Sequence, residues 1–137
     1  MILCDTGPLV AMLDGDDVHH TRCRQTLSSL TGPLITTWPC FTEAMYFLGK
    51  FQGWTAQAYL WDDLRSGIVQ LYFQGLDDEL RIEILMKQYR DIPMDLADAS
   101  LVSAAETLGL RRIFTLDSHF HAYRINDGDA FIVVPEA

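Results

Sequence analysis

Short apolar runs alternate with longer amphipathic stretches along this chain. Met1-Ile2-Leu3-Cys4, Leu34-Ile35-Thr36-Thr37, Arg112 to Leu116 and Phe131 to Val134 have strand length, and Ile68 to Phe73 alternates apolar with polar positions. Between them apolar residues recur at helical spacing. Gly7 to Leu13 reads as a short helix ended by Asp14-Gly15-Asp16-Asp17. Val18 to Leu30 reads as a longer one, capped by Asp16 or Asp17 and broken by Thr31-Gly32-Pro33. Thr37 is placed to cap a helix with Pro39 in its first turn, whose buried stripe is Phe41, Ala44, Met45 and Leu48. Trp54 to Arg65 carries Ala58, Leu60, Trp61 and Leu64 and is closed by Gly67, while Asp77 to Tyr89 runs to a break at Pro93. Asp95 to Leu108 is the strongest helix signal, starting behind Pro93 and ending at Gly109; Ser118 to Asn126 shows no clear period.

Strands alternating with helices predict an α/β domain with a mainly parallel sheet. At 137 residues and 15.5 kDa, one domain over residues 1–137 is the simplest organisation, long enough to bury about two thirds of the unfolded chain's surface. No repeat, low-complexity tract or linker interrupts it. No apolar run approaches the roughly 18 residues of a membrane span, and no basic segment precedes an apolar core at the N-terminus, so neither a membrane location nor a secretory signal is expected. Cys4, Cys23 and Cys40 are odd in number and form no C-x-x-C pair, which predicts free thiols in a reducing cytoplasm.

In a parallel α/β domain, strand ends and helix starts meet at one sheet edge, where such folds place their sites. Asp5 follows the first apolar run and Asp117 the run Ile113 to Leu116, while Glu43 and Asp98 each fall in the second turn of a predicted helix. A length comparison joins two of them. About fourteen helical residues span roughly 21 Å, and five strand residues about 17 Å. The strand that follows Gly109-Leu110 therefore returns Asp117 to the level of Asp98. Four carboxylates then face one crevice, a donor set suited to hard Mg²⁺ or Mn²⁺.

Each acid also has a plainer role. Asp5-Thr6-Gly7-Pro8 is good turn chemistry. Glu43 points away from its helix's main stripe, as a solvated residue does, yet is flanked by Cys40, Tyr46 and Phe47. Asp95 suits an N-cap better than a metal ligand. Asp98 lies among Leu96, Ala97, Ala99, Leu101 and Val102, where an unpaired charge is costly. His119 and His121 have the spacing that places two imidazoles on one strand face, but no cysteine lies near them, and zinc is the weaker reading. Thr6 and Ser118, each following an acid, are placed to orient a carboxylate or a metal-bound water, and turn propensity explains them equally well. Trp38, Trp54, Trp61, Tyr46 and Phe47 read as core or dimer surface ahead of base-stacking platforms, and Arg22, Arg24, Arg111 and Arg112 as solvated surface ahead of phosphate contacts.

The formal charge of −9 and pI near 4.6 oppose the usual footprint of a nucleic-acid binder. Two bound divalent cations would reverse that sign in the crevice itself, so net charge does not settle the substrate. Other phosphate chemistries fit poorly. The chain has no G-x-x-x-x-G-K-[ST] loop, Asp5-Thr6-Gly7 lacks the second Asp of a haloacid-dehalogenase-type phosphatase, and Lys50 and Lys87 are not placed as a receiver domain's lysine.

Over nearly its whole length the chain resembles PIN-domain ribonucleases, in particular VapC-type toxins of toxin–antitoxin pairs. The resemblance rests on Ile2-Leu3-Cys4-Asp5-Thr6, Thr42-Glu43-Ala44, Leu96-Ala97-Asp98-Ala99-Ser100-Leu101 and Phe114-Thr115-Leu116-Asp117-Ser118-His119-Phe120, in that order. It implies a three-layer α/β/α domain with about five central strands. It further implies Asp5, Glu43, Asp98 and Asp117 as catalytic and metal-binding acids, with Thr6, Asp95 and Thr115 in supporting positions. The implied activity is divalent-metal-dependent hydrolysis of RNA by one or two Mg²⁺ or Mn²⁺ ions, with an antitoxin protein and a second copy of the chain as partners. The contrasting reading is an inactive module of this fold whose acidic crevice accepts a basic partner peptide. Where some relatives carry a further acid after the fourth, this chain has Ser118, His119 and His121.

Overall fold

Alternation within the short strands assigns their side chains to two separate cores. In the computed structural model, which describes residues 1–136, the first strand, β1 (Ile2–Cys4), sends Ile2 and Cys4 into one cluster and Leu3 into the other. Helix α1 (Thr6–Leu13) and α2 (His20–Ser29) follow, then β2 (Leu34–Thr37), with Leu34 on one side of the sheet and Ile35 on the other. Both strands are buried throughout, as parallel strands covered by helices on two faces require.

Next come α3 (Trp38–Phe51), α4 (Trp54–Ser66), β3 (Val69–Tyr72), α5 (Leu76–Gln88), α6 (Leu96–Leu108) and β4 (Arg112–Phe114). A 3-10 turn over Ser118–His121 leads to a two-stranded hairpin, β5 (Arg124–Ile125) and β6 (Asp129–Ala130), and then to β7 (Ile132–Val134). The central sheet has the order β3-β2-β1-β4-β7 with every pairing parallel. Residues of α1, α3 and α4 share one core with Ile2, Leu34 and Phe114; residues of α5 and α6 share the other with Leu3, Ile35 and Ile113. This is a three-layer α/β/α architecture.

The chain moves from β1 to β2 in one direction and places β4 on the opposite flank of β1. The order therefore reverses beside β1, the position at which open α/β sheets form a crevice at the carboxyl ends of their strands.

Several boundaries differ from those the sequence predicts. Helix α2 starts at His20, not Val18, with His19 at the cap position and no side-chain cap; Asp17 instead accepts the His19 amide in a local turn. Thr37 occupies the cap position of α3 without capping it, because its hydroxyl pairs with Ser100 at 2.6 Å. Asp98 sits in the first turn of α6, since Asp95 is the cap and Leu96 the first helical residue. The strand predicted through Leu116 ends at Phe114. His119 and His121 lie in the 3-10 turn and not on a strand, which removes the shared-face geometry considered for zinc.

Candidate active site

The end of β1 delivers Asp5 directly into the N-terminus of α1, where it is both cap and crevice wall. Its Oδ1 accepts the Thr6 amide at 2.8 Å, and its Oδ2 accepts the Thr115 hydroxyl at 2.7 Å. Asp117 lies just beyond β4, the strand beside β1; its amide donates to Thr115 Oγ1 at 3.0 Å, and its Oδ1 accepts the His119 amide at 2.9 Å. Thr115 thus ties both strand-end acids together through one hydroxyl. Asp98 enters from the first turn of α6, behind the cap in which Asp95 Oδ1 accepts the Asp98 amide at 2.8 Å.

One carboxylate oxygen from each of Asp5, Asp98 and Asp117 lies within 4.8 Å of the others. The juxtaposition of Asp98 and Asp117 argued from helix and strand length is present. Glu43, in the second turn of α3, stands outside that set of three but lines the same crevice, and its Oε1 accepts the Thr6 hydroxyl at 2.9 Å. Asp95 and Thr6 also line it, whereas Ser118 is exposed and faces a neighbouring depression. The crevice holds about 460 Å³ and is also lined by Val10, His19, Phe47, Phe51 and Leu116.

Electrostatics follow from crowding and burial. Asp5 and Asp98 are each only 7% exposed. Loss of water is the largest influence on Asp5 and lifts its pKa to about 6, with Asp117 and Asp95 adding like-charge repulsion against the lowering effect of the Thr115 and Thr6 hydrogen bonds. Asp98 is lifted further, to about 7, by burial first and then by the charges of Asp95, Asp5 and Asp117, while the Tyr123 hydrogen bond opposes the rise. The metal-free cluster therefore resists holding its full negative charge at neutral pH. A divalent cation removes that conflict, and an all-oxygen donor set of closely spaced carboxylates fits Mg²⁺ or Mn²⁺.

Tyr123 is the residue that sequence patterning missed. Its ring is fully buried, and its hydroxyl donates to Asp98 Oδ2 at 2.9 Å. The spacing of Phe120 and Tyr123 was the available signal, but it lies in the aperiodic segment after Asp117. Phe51 and His19 were also not anticipated at the crevice; only tertiary packing places them there.

A protein-family model described as PIN domain matches residues 2–126. Among curated proteins, Ribonuclease VapC26 of Mycobacterium tuberculosis is 27% identical over 135 residues, covering 98% of this chain and 100% of that protein. Among solved structures, Mycobacterium tuberculosis VapC20, described as a Sarcin-Ricin loop cleaving toxin, matches with a TM-score of 0.82 at 18% identity, covering 89% of this chain and 94% of that one. A toxin–antitoxin complex from Klebsiella pneumoniae matches with a TM-score of 0.67 at 18% identity, covering 86% of this chain and 88% of the other.

Proposed function

Because the chain belongs to the PIN-domain family, we propose that it is a divalent-metal-dependent endoribonuclease, the toxin of a toxin–antitoxin pair. The observation that carries the metal dependence is the convergence of Asp5, Asp98 and Asp117 oxygens within 4.8 Å. The kinship with a protein named as a ribonuclease supports RNA as the substrate.

Asp5, Asp98 and Asp117 would hold the cation, with Glu43 reaching the same space from α3. When bound, Mg²⁺ or Mn²⁺ supplies positive charge for the phosphoryl oxygens and lowers the pKa of a water. The protein's own contribution is placement. Thr115 holds Asp5 and the Asp117 backbone in one arrangement, and Thr6 holds Glu43. Phe47 and Phe51 offer ring faces beside the acids on which unpaired bases can stack. The protein's net charge of −9 does not attract RNA, so the phosphate must be received where the cation offsets the acids.

Kinship with solved toxin–antitoxin complexes supports an antitoxin partner, whose basic side chain would neutralise the acids in place of the cation. Self-association as a homodimer belongs to the same proposal and is supported by Leu76, Leu80 and Ile84, 80%, 65% and 55% exposed along one face of α5. A chain that sediments as a 15.5 kDa monomer at micromolar concentration would remove that part.

Metal binding separates the enzyme from an inactive binding module. Mn²⁺ is expected to raise the melting temperature of the wild-type protein and to have no such effect on Asp5→Asn. An equal response in both proteins, or none in either, would overturn the metal site.

A further inference from the structure

We propose that Tyr123 is a positioning residue for Asp98, fixing the rotation of that carboxylate and hence the oxygen it presents to the crevice. The inference rests on the reading of Asp98 as a metal ligand. It begins from a hydroxyl whose described side-chain hydrogen bond goes to this acid, Tyr123 OH to Asp98 Oδ2 at 2.9 Å.

The donor is held on every side. Tyr123 is 0% exposed, and its ring meets Tyr89 edge-on at 5.2 Å and Phe120 at 5.0 Å. Phe120 is braced in turn by Phe131 at 5.4 Å. The Tyr89 hydroxyl accepts the backbone amide of Arg124, which anchors the residue next to Tyr123. A buried side chain packed on two rings, one of them braced by a third, has little freedom to follow a moving acceptor, so the acceptor conforms to it.

Placement along the chain strengthens the case. Residues 117–123 form one short segment that supplies Asp117 to the cluster at one end and the Tyr123 hydroxyl to Asp98 at the other. The two other hydroxyl ties also join separate elements, Thr115 with Asp5 at the end of β1 and Thr6 of α1 with Glu43 of α3. Tyr123 completes the set by linking the loop after β4 to the start of α6, which sets the separation of Asp117 and Asp98. A phenylalanine would fill the same volume. The hydroxyl adds a polar group to an apolar core, and its use there is to hold a carboxylate.

Tyr123→Phe removes that hydroxyl and keeps the ring. In the metal-free variant, Mn²⁺ affinity measured by calorimetry is expected to fall by about tenfold or more, within the range for loss of an outer-shell partner. On RNA, kcat is expected to fall while KM is unchanged, and Tyr59→Phe, which removes an exposed hydroxyl on α4 away from the crevice, keeps wild-type Mn²⁺ affinity. Wild-type Mn²⁺ affinity and kcat in Tyr123→Phe, with only a lowered melting temperature, would make the contact structural and overturn the proposal. If Tyr123→Phe does not fold, the wild-type protein gives the answer by NMR. Its buried Tyr123 hydroxyl proton should shift on addition of saturating Mg²⁺, and an unmoved resonance would overturn the proposal. A wild-type protein that binds neither ion rejects the underlying metal reading, an outcome distinct from equal binding by both proteins.

Discussion

Asp98 and Glu43 are separated by burial more than by chemistry. Asp98 is nearly excluded from water and raised to about pKa 7, whereas Glu43 is half-buried and set back from the three closest oxygens. Removing the charge of Glu43 should therefore matter less. Glu43→Gln is expected to weaken Mn²⁺ binding by about tenfold, as for an outer-shell change, while Asp5→Asn abolishes it; calorimetric titration of both variants checks the ranking. At this scale the sequence was informative wherever an acid interrupts an apolar run, as at Asp5 and Asp98. It was silent on Tyr123, because a tyrosine flanked by Ala122 and Arg124 has no pattern that reveals which carboxylate its hydroxyl meets.

The element that holds Asp98 is itself fastened by a second acid remote from the crevice. Asp78, in the first turn of α5, accepts hydrogen bonds from the Gly75 amide, Tyr72, Ser103 and Thr107, so it joins β3, α5 and α6. Burial alone would raise its pKa, but these four donors hold it below the usual carboxylate value. Asp78→Ala would strand several donors at once and is expected to cost about 3 kcal/mol, read as a lower denaturant midpoint. Because the folded pKa is depressed, this stabilisation is present above the unfolded value near pH 4 and is lost as pH falls through the folded one.

Helix starts were legible where they depended on local capping, as at Asp95, and the parallel character of the sheet followed from apolar runs alternating with helical stretches. What was not legible had tertiary causes. Thr37 stands at the predicted cap position but pairs its hydroxyl with that of Ser100, and residues 118–126 fold back through a 3-10 turn because Phe120 and Tyr123 are drawn into the core.

Across the whole molecule, the crevice sets stability against function. Asp5 at about 6 and Asp98 at about 7 bind protons more tightly in the folded state than in the unfolded chain. Their contribution is fully present below about pH 4 and is lost as pH rises through 6 and 7, so the metal-free protein should lose stability over that window. This runs opposite to the Asp78 contribution, which is in place by pH 5, leaving the crevice acids to govern the neutral range. Mn²⁺ needs the deprotonated carboxylates, so its stabilisation should be larger at pH 8 than at pH 5.5, about 2.7 kcal/mol at a hundredfold excess over Kd. Thermal melts with and without Mn²⁺ at the two pH values test both signs. The sheet edge that gathers the acids was predictable from strand–helix alternation and element length, whereas their pKa values depend on burial that no spacing pattern encodes.

Cleavage of a defined RNA panel by the wild-type protein and by Asp98→Asn, each with Mg²⁺, Mn²⁺ or EDTA, tests the central claim most directly. Wild-type protein should cleave with either ion and stop in EDTA, while folded Asp98→Asn should leave the RNA intact throughout. Cleavage in EDTA, or metal-dependent cleavage by Asp98→Asn, would contradict a catalytic centre built on these carboxylates.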